Sequence, residues 1–334
     1  MMKRTKTEVS DSGIDTRGVR GLARGESDGA EGRLRVAKAY KMYVGGAFVR
    51  SESGRYFQVK DTDDGVDSAD PGVVNVPLAS RKDVRDAVLV AKNAQEKWAA
   101  RTAYNRGQIL YRLAEVMESR RSELVSSLVR SGEHESDARA EVDAAVDRAV
   151  FYAGFADKLS ALLASHNPVS GPHFGFSVPE PMGVVGIVAP SRPVLLGLVS
   201  TILPAIVSGN TVVTLASAED VRTAVVFTEC LATSDLPGGV ANVLTGTAKE
   251  VAPQLARHRE VIALDVLSDD VDLRKAVEEE SSGNVKRVKI GPVPEPSWIL
   301  DPRTGQGLSF IEKFLETKTI WHPVGIGGGS SGGY

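Results

Sequence analysis

The sequence predicts an α/β protein built on a doubly wound sheet of about five parallel strands. Two observations carry that expectation. Residues 183–189 and Thr211–Leu215 are short, nearly continuous apolar runs, and between them Val194–Ile206 has helical length and is opened by Pro193. Runs of this kind suit buried parallel strands and proline suits a first helical turn, so the stretch reads as a β-α-β unit. The alternation then continues, with helices at 221–231, 249–257 and 271–280 and strands at 242–244, Val261–Leu267 and 285–290.

From the N-terminus, residues 1–39 hold no aromatic residue, six glycines, and nine Lys or Arg against six Asp or Glu. Such a segment has little apolar surface to offset its ordering entropy, so it is predicted to be a disordered tail. Residues 40–49 read as a β-hairpin turning at Gly45 and Gly46, residues 55–59 as a further strand, and the acidic residues 61–70 as a solvated loop.

Ser80 followed by Asp83 resembles a capping box, and it opens a helix that keeps Val84, Val88, Ala91 and Ala94 on one side and ends near Trp98. A second helix is predicted over 105–129 and a third over 136–165, each with an apolar stripe read as core. Residues 173–178 alternate with period two ahead of Pro179 and Pro181, as a strand exposed on one face does. After Gly291, four prolines at 292, 294, 296 and 302 predict an irregular linker. A short helix near 308–315, a strand at 318–322 and a flexible Gly/Ser tail at 325–334 complete the chain.

The 334 residues are 42% hydrophobic and 25% charged, with a formal net charge of −3. That balance gives no general field for nucleic acid. A single cysteine, Cys230, rules out an intrachain disulfide framework and fits a reducing compartment. No apolar run has the length of a membrane span. The expectation is therefore a cytoplasmic protein without nucleic-acid or membrane partners. The five histidines, at 134, 166, 173, 258 and 322, have neither metal-ligand nor triad spacing, so no metal site is predicted.

Two motifs carry a family resemblance: Val207-Ser208-Gly209-Asn210-Thr211-Val212-Val213 after the first strand and helix, and Leu236-Pro237-Gly238-Gly239-Val240-Ala241-Asn242-Val243-Leu244-Thr245-Gly246 further on. Their order and spacing resemble those of the aldehyde dehydrogenase family, with its Gly-Asn-Thr-Val-Val and Leu-Pro-x-Gly-Val-x-Asn-Val-x-Thr-Gly. The resemblance implies a Rossmann cofactor domain over 40–165 and 181–291, with N-terminal helices, and a small oligomerisation sheet from 166–180 and 307–324. It also implies that the catalytic domain is missing, with residues 292–306 as the linker in its place.

Carried over position by position, the resemblance implies a degenerate catalytic site. The family's nucleophile belongs to the missing domain, and Cys230, mid-helix among apolar residues, reads as a buried structural thiol. Arg192 falls where the oxyanion-stabilising Asn of Pro-Trp-Asn stands, and Gly291 where the general-base Glu stands. The cofactor positions are vestigial. Pro190 is kept, Leu215 replaces the ribose-binding Lys, Glu219 remains near a ribose hydroxyl, and Asp265, Asp269 and Asp270 replace the glycine turn that approaches the pyrophosphate.

No cofactor is therefore expected of the chain itself. NAD or NADP is left to the vestigial site or to a partner. The reading is a non-catalytic subunit that stabilises or regulates a full-length aldehyde dehydrogenase. Its interface is expected at His173, Phe174, Phe176, Lys318, Ile320, Trp321 and His322, because an unpaired strand seeks another sheet edge. Self-association is the competing assembly. An active NAD(P)-dependent oxidoreductase and a nucleotide-sensing module without turnover are the alternatives.

Overall fold

The computed structural model describes residues 39–61 and 72–324. In chain order the elements are β1 (Met42–Val44), β2 (Ala47–Val49), β3 (Tyr56–Asp61), β4 (Gly72–Pro77), α1 (Arg81–Ala99), α2 (Ala103–Ser119), α3 (Arg121–Arg130), α4 (Glu135–Ala153) and α5 (Leu159–Leu163). Next come β5 (Ser165–Asn167), β6 (His173–Pro181), β7 (Val184–Val188), α6 (Val194–Ile206), β8 (Thr211–Leu215), α7 (Val221–Thr233), β9 (Ala241–Leu244), α8 (Ala248–Arg257) and β10 (Val261–Leu267). The chain closes with α9 (Val271–Ser281), β11 (Arg287–Gly291), α10 (Pro296–Leu300), α11 (Ser309–Glu312) and β12 (Leu315–Pro323).

The central sheet has the order β11-β10-β7-β8-β9-β1-β2. Its first five strands are parallel, as the alternation predicted, and the hairpin β1-β2 adds two antiparallel strands through Tyr43 and Val243. Successive side chains of a strand point to opposite faces. Val184 and Val188 of β7 accordingly join α1, α8 and α9 in one core cluster, while Val185 and Ile187 join α4, α6 and α7 in the other.

The motif residues turn out to be the stitching of this sheet. Asn242 donates to Val212 O (3.0 Å) and Gly239 O (2.8 Å) and accepts from Gly45 N–H (2.9 Å), which ties the hairpin to the parallel strands. Gly238 has to be glycine, since a Cβ there would stand 2.4 Å from Gly45 O. The capping box at Ser80 and Asp83 forms as predicted, with both reciprocal bonds present.

Several expectations need correction. The helix predicted over 105–129 is two helices, broken at Arg120, and the break lets α3 reach α7, where Ser127 Oγ and Thr223 Oγ1 lie 2.8 Å apart. The helix predicted over 136–165 ends at Ala153, with Gly154 as its cap, so Ser165 already belongs to β5. Strand β4 was not foreseen; its Val74 and Val76 are buried against Val221 and Val225. The acidic loop, apart from Asp61 at the end of β3, lies outside the described residues, as do residues 1–38 and 325–334 of the predicted tails.

The linker after Gly291 is not irregular throughout. It forms α10, whose Ile299 is buried, and Arg148 of α4 donates to Ile299 O (2.7 Å) and to Ser200 Oγ (2.5 Å) from a fully buried position. The strands expected at the interface pair with each other. In the three-stranded sheet β12-β6-β5, β6 is central, with Lys318 opposite Val178 and His166 opposite Phe176. Both edges of β6 are thus used within the chain, and the outer edges of β12 and β5 are the ones that no described strand covers.

Candidate functional site

At the carboxyl ends of β7, β8 and β10 the chain leaves a cleft of about 340 Å³. The strand order reverses beside β7, and open α/β sheets form their ligand crevices at such points. The cleft is positioned by the β7–α6 turn, where the ring of Pro190 lies over Gly197; a Cβ on Gly197 would stand 2.5 Å from Pro190 Cγ.

The structure brings four of the sequence-predicted positions together here. Leu215 and Glu219 line the cleft after β8, while Arg192 stands at its mouth and bonds to both Glu133 and Glu219, the latter at 3.4 Å. Gly291 lies alongside, opposite Leu267, with its carbonyl accepting from Ser268 N–H at 2.9 Å. A Cβ on Gly291 would meet nothing within 4 Å, so there is room there for a side chain. Arg192 is half-exposed and its guanidinium pairs with both carboxylates. Leu215 offers no hydrogen bond to a ribose.

The three aspartates separate. Asp269 lines the cleft and accepts from Val293 N–H (3.0 Å), which holds the start of the linker against it. Asp270 caps α9 by accepting from Leu273 N–H (3.0 Å), and so takes up the helix-end amides that an anion would use. Asp265 departs from expectation: it is buried inside β10 and paired with Lys313 rather than turned toward the cleft. Glu219 and Asp269 are the charged groups that line the cleft, with Arg192 beside Glu219 at its mouth.

Cys230 is buried in α7, and burial pushes its thiol up to about 11. A thiol so placed is not a nucleophile at neutral pH. Among the described residues no group of three or more His, Cys, Asp or Glu could hold a metal ion.

Sequence reasoning missed Glu141. Its carboxylate turns into the first turn of α6, accepting from Leu195 N–H (2.7 Å) and Leu196 N–H (3.1 Å). Burial pushes this carboxyl up to about 7 against the pull of those two amides. Its position was legible, because Glu141 falls on the same helical stripe as the buried Ala138, Val142 and Ala145.

The expected interface residues lie on β6 and β12. Phe174, Phe176, Ile320 and His322 share one face of the small sheet, on which His166 stacks over Phe174 at 4.9 Å. Trp321 and His173 meet on the other face, 6.1 Å apart. Phe174 and Trp321 are 46% and 60% exposed, enough to leave an aromatic surface on each side. Lys318 crosses to Glu180 at 2.9 Å.

The model of the aldehyde dehydrogenase family matches residues 58–290. The chain belongs to the aldehyde dehydrogenase family. Among curated relatives, it is similar to cytosolic 10-formyltetrahydrofolate dehydrogenase of Xenopus tropicalis, 27% identical over 262 residues, and of Mus musculus, 28% identical over 264 residues. Each alignment covers 77% of this chain but 28% and 29% of the relative, so the chain spans less than a third of their length.

Among solved structures, an NAD-dependent aldehyde dehydrogenase from Sinorhizobium meliloti superposes with a TM-score of 0.68 at 28% identity, covering 76% of this chain and 50% of that one. An aldehyde dehydrogenase from Bacillus cereus, solved with NAD+, superposes with a TM-score of 0.69 at 23% identity, a likeness of fold. The shared half is the Rossmann-type domain of the family. No helix among the described residues is long and apolar enough to cross a membrane.

Proposed function

We propose that this chain is a non-catalytic aldehyde dehydrogenase family subunit that assembles with a full-length aldehyde dehydrogenase and stabilises or regulates it. One observation carries the reading. Residues 292–314 alone lead from β11, the last parallel strand, to β12, and they dock on the chain's own core through Ile299, Ile311 and Phe314. A segment so short and so anchored places no second lobe between β11 and β12. Gly291 in place of a base, Arg192 held by carboxylates and the inert Cys230 support the same reading. Assembly draws on the outer edge of β12 and the exposed Phe174 and Trp321, features that invite strand addition and aromatic burial.

The test has two arms. The purified chain is assayed with NAD or NADP and short aliphatic aldehydes, and it is co-expressed with full-length aldehyde dehydrogenases and examined by size exclusion with mass analysis. No turnover together with a mixed complex is the expected result. Turnover that survives Cys230→Ala would establish an active oxidoreductase with other catalytic residues. Saturable dinucleotide binding without turnover or assembly would make the chain a nucleotide sensor, for which Glu219 is the supporting residue. A stable monomer in cell extract would overturn the assembly.

A further inference from the structure

A second cavity, of about 560 Å³, lies between the first turn of α1 and the last turn of α8 and shares no lining residue with the cleft. Its walls bring Arg81, Lys82, Arg85 and Arg257 together against one carboxylate, Glu52. On a chain with a formal net charge of −3, that is a local concentration of positive charge.

The cations are only lightly committed. Lys82 pairs with Glu52 (3.2 Å), Arg85 with Asp86 (2.8 Å) and Arg257 with Glu280 (2.5 Å), all between well-exposed side chains. Exposed pairs of this kind contribute little and exchange partners readily. Arg81 forms no ion pair with a described residue.

Two neighbours add to the donor character. His258 Nδ1 accepts from Glu260 N–H (3.2 Å), so the neutral ring carries its proton on Nε2, as a donor. Lys286 Nζ donates to Ala256 O (2.5 Å) and His258 O (3.0 Å), which quenches the negative end of α8. In the capping box of α1, Ser80 Oγ accepts from Asp83 N–H (3.2 Å) and Ser80 O from Val84 N–H (3.1 Å).

We propose that this cavity binds a small organic molecule bearing phosphate groups, held by the guanidinium groups of Arg81, Arg85 and Arg257. Guanidinium presents paired donors that match phosphate oxygens. The volume lies within the range of about 300–1,000 Å³ usual for small-molecule sites, more than a lone inorganic ion needs. Val84, which also lines the cavity, offers apolar contact to the ligand's carbon body.

The test uses the full chain in calorimetry and thermal-shift titrations, with inorganic phosphate, pyrophosphate and fructose 1,6-bisphosphate as probes and citrate as the carboxylate control. Saturable binding is expected, tightest for the bisphosphate, weakening as salt is raised, and at least tenfold weaker in R81A/R257A. Should that double variant lose its fold by circular dichroism, R85K supplies the comparison, since it keeps the charge and removes the paired donors. Absence of saturable binding at millimolar probe, affinity unchanged in the folded variants, or citrate bound as tightly as pyrophosphate would each overturn the proposal. None of these outcomes bears on whether the chain assembles with a dehydrogenase.

Discussion

The side-chain amide of Asn210 donates to the backbone carbonyl of Phe314 at 2.9 Å, joining the start of β8 to a segment 104 residues further along the chain. The same side chain donates to Ala205 O (3.1 Å) and accepts from Gly183 N–H (2.8 Å), so the Gly-Asn-Thr motif fastens a helix end, a strand start and the return of the chain at one buried point. This is how the aldehyde dehydrogenase fold keeps its tail docked here although the intervening segment is short.

Asn210→Ala is expected to cost about 3 kcal/mol, because the substitution takes the partner from Gly183 N–H and from Phe314 O, while Ala205 O keeps Ser208 Oγ (3.2 Å). Urea denaturation of the variant against the parent chain measures it. A loss below about 0.5 kcal/mol would mean that these bonds exchange for water at no net cost.

Cys230 is expected to resist thiol reagents in the folded chain. Its thiol is pushed up to about 11 by burial, so at pH 8 roughly one molecule in a thousand carries a thiolate. Labelling should therefore be complete only in denaturant. Stoichiometric modification of the native chain within minutes would place the thiol in a more open setting than α7 provides.

Glu141 makes a prediction about pH. Its carboxyl, pushed up to about 7 in the fold from an ordinary value of 4.5, keeps its proton in the folded state where the unfolded state has lost it. Stability from this group is therefore flat below pH 4.5, falls as pH rises from 4.5 to about 7, and is flat again above. The span of that fall is about 3 kcal/mol. In Glu141→Gln the side-chain oxygen still accepts at α6 but cannot ionise, so this fall should vanish from its denaturation profile between pH 5 and 8. Parallel profiles for the two proteins would show that the carboxyl titrates normally in the fold.

Local signals made much of this fold legible. The capping box at Ser80, the apolar strands around Val194–Ile206 and the paired motifs are short-range patterns, and each forms as its chemistry requires. What escaped depends on contacts distant in sequence. β4 is fixed by its pairing with β3 across residues 62–71, and β6 acquires its second edge from β12, where Val178 meets Lys318. At the site, the sequence placed Arg192, Leu215, Glu219 and Gly291 around one cleft, but it could not show that Glu133 arrives from the end of α3 to occupy Arg192. Asp265 was misplaced for the same reason, because its partner lies on the far side of the linker.

That partner, Lys313, gives the last prediction. Asp265 is 1% exposed, and the ammonium of Lys313 lies against its Oδ2 and 4.7 Å from the centre of the Phe314 ring. Burial lowers the pKa of Lys313 while the carboxylate opposes that shift, as in any pair that leaves water together. Removing only the cation strands a charge in the interior, so Lys313→Met should cost about 3–5 kcal/mol. Replacing both members with apolar groups removes the stranded charge, and D265L/K313M should regain most of that loss. A double-mutant cycle by chemical denaturation measures the coupling. If K313M is nearly neutral, Asp265 has taken up a proton or a water instead, and the linker is held by Asn210 and Arg148 without help from the pair. If the double variant is no better than K313M, the cost lies in lost packing around Phe310 and Phe314 and the charge is incidental.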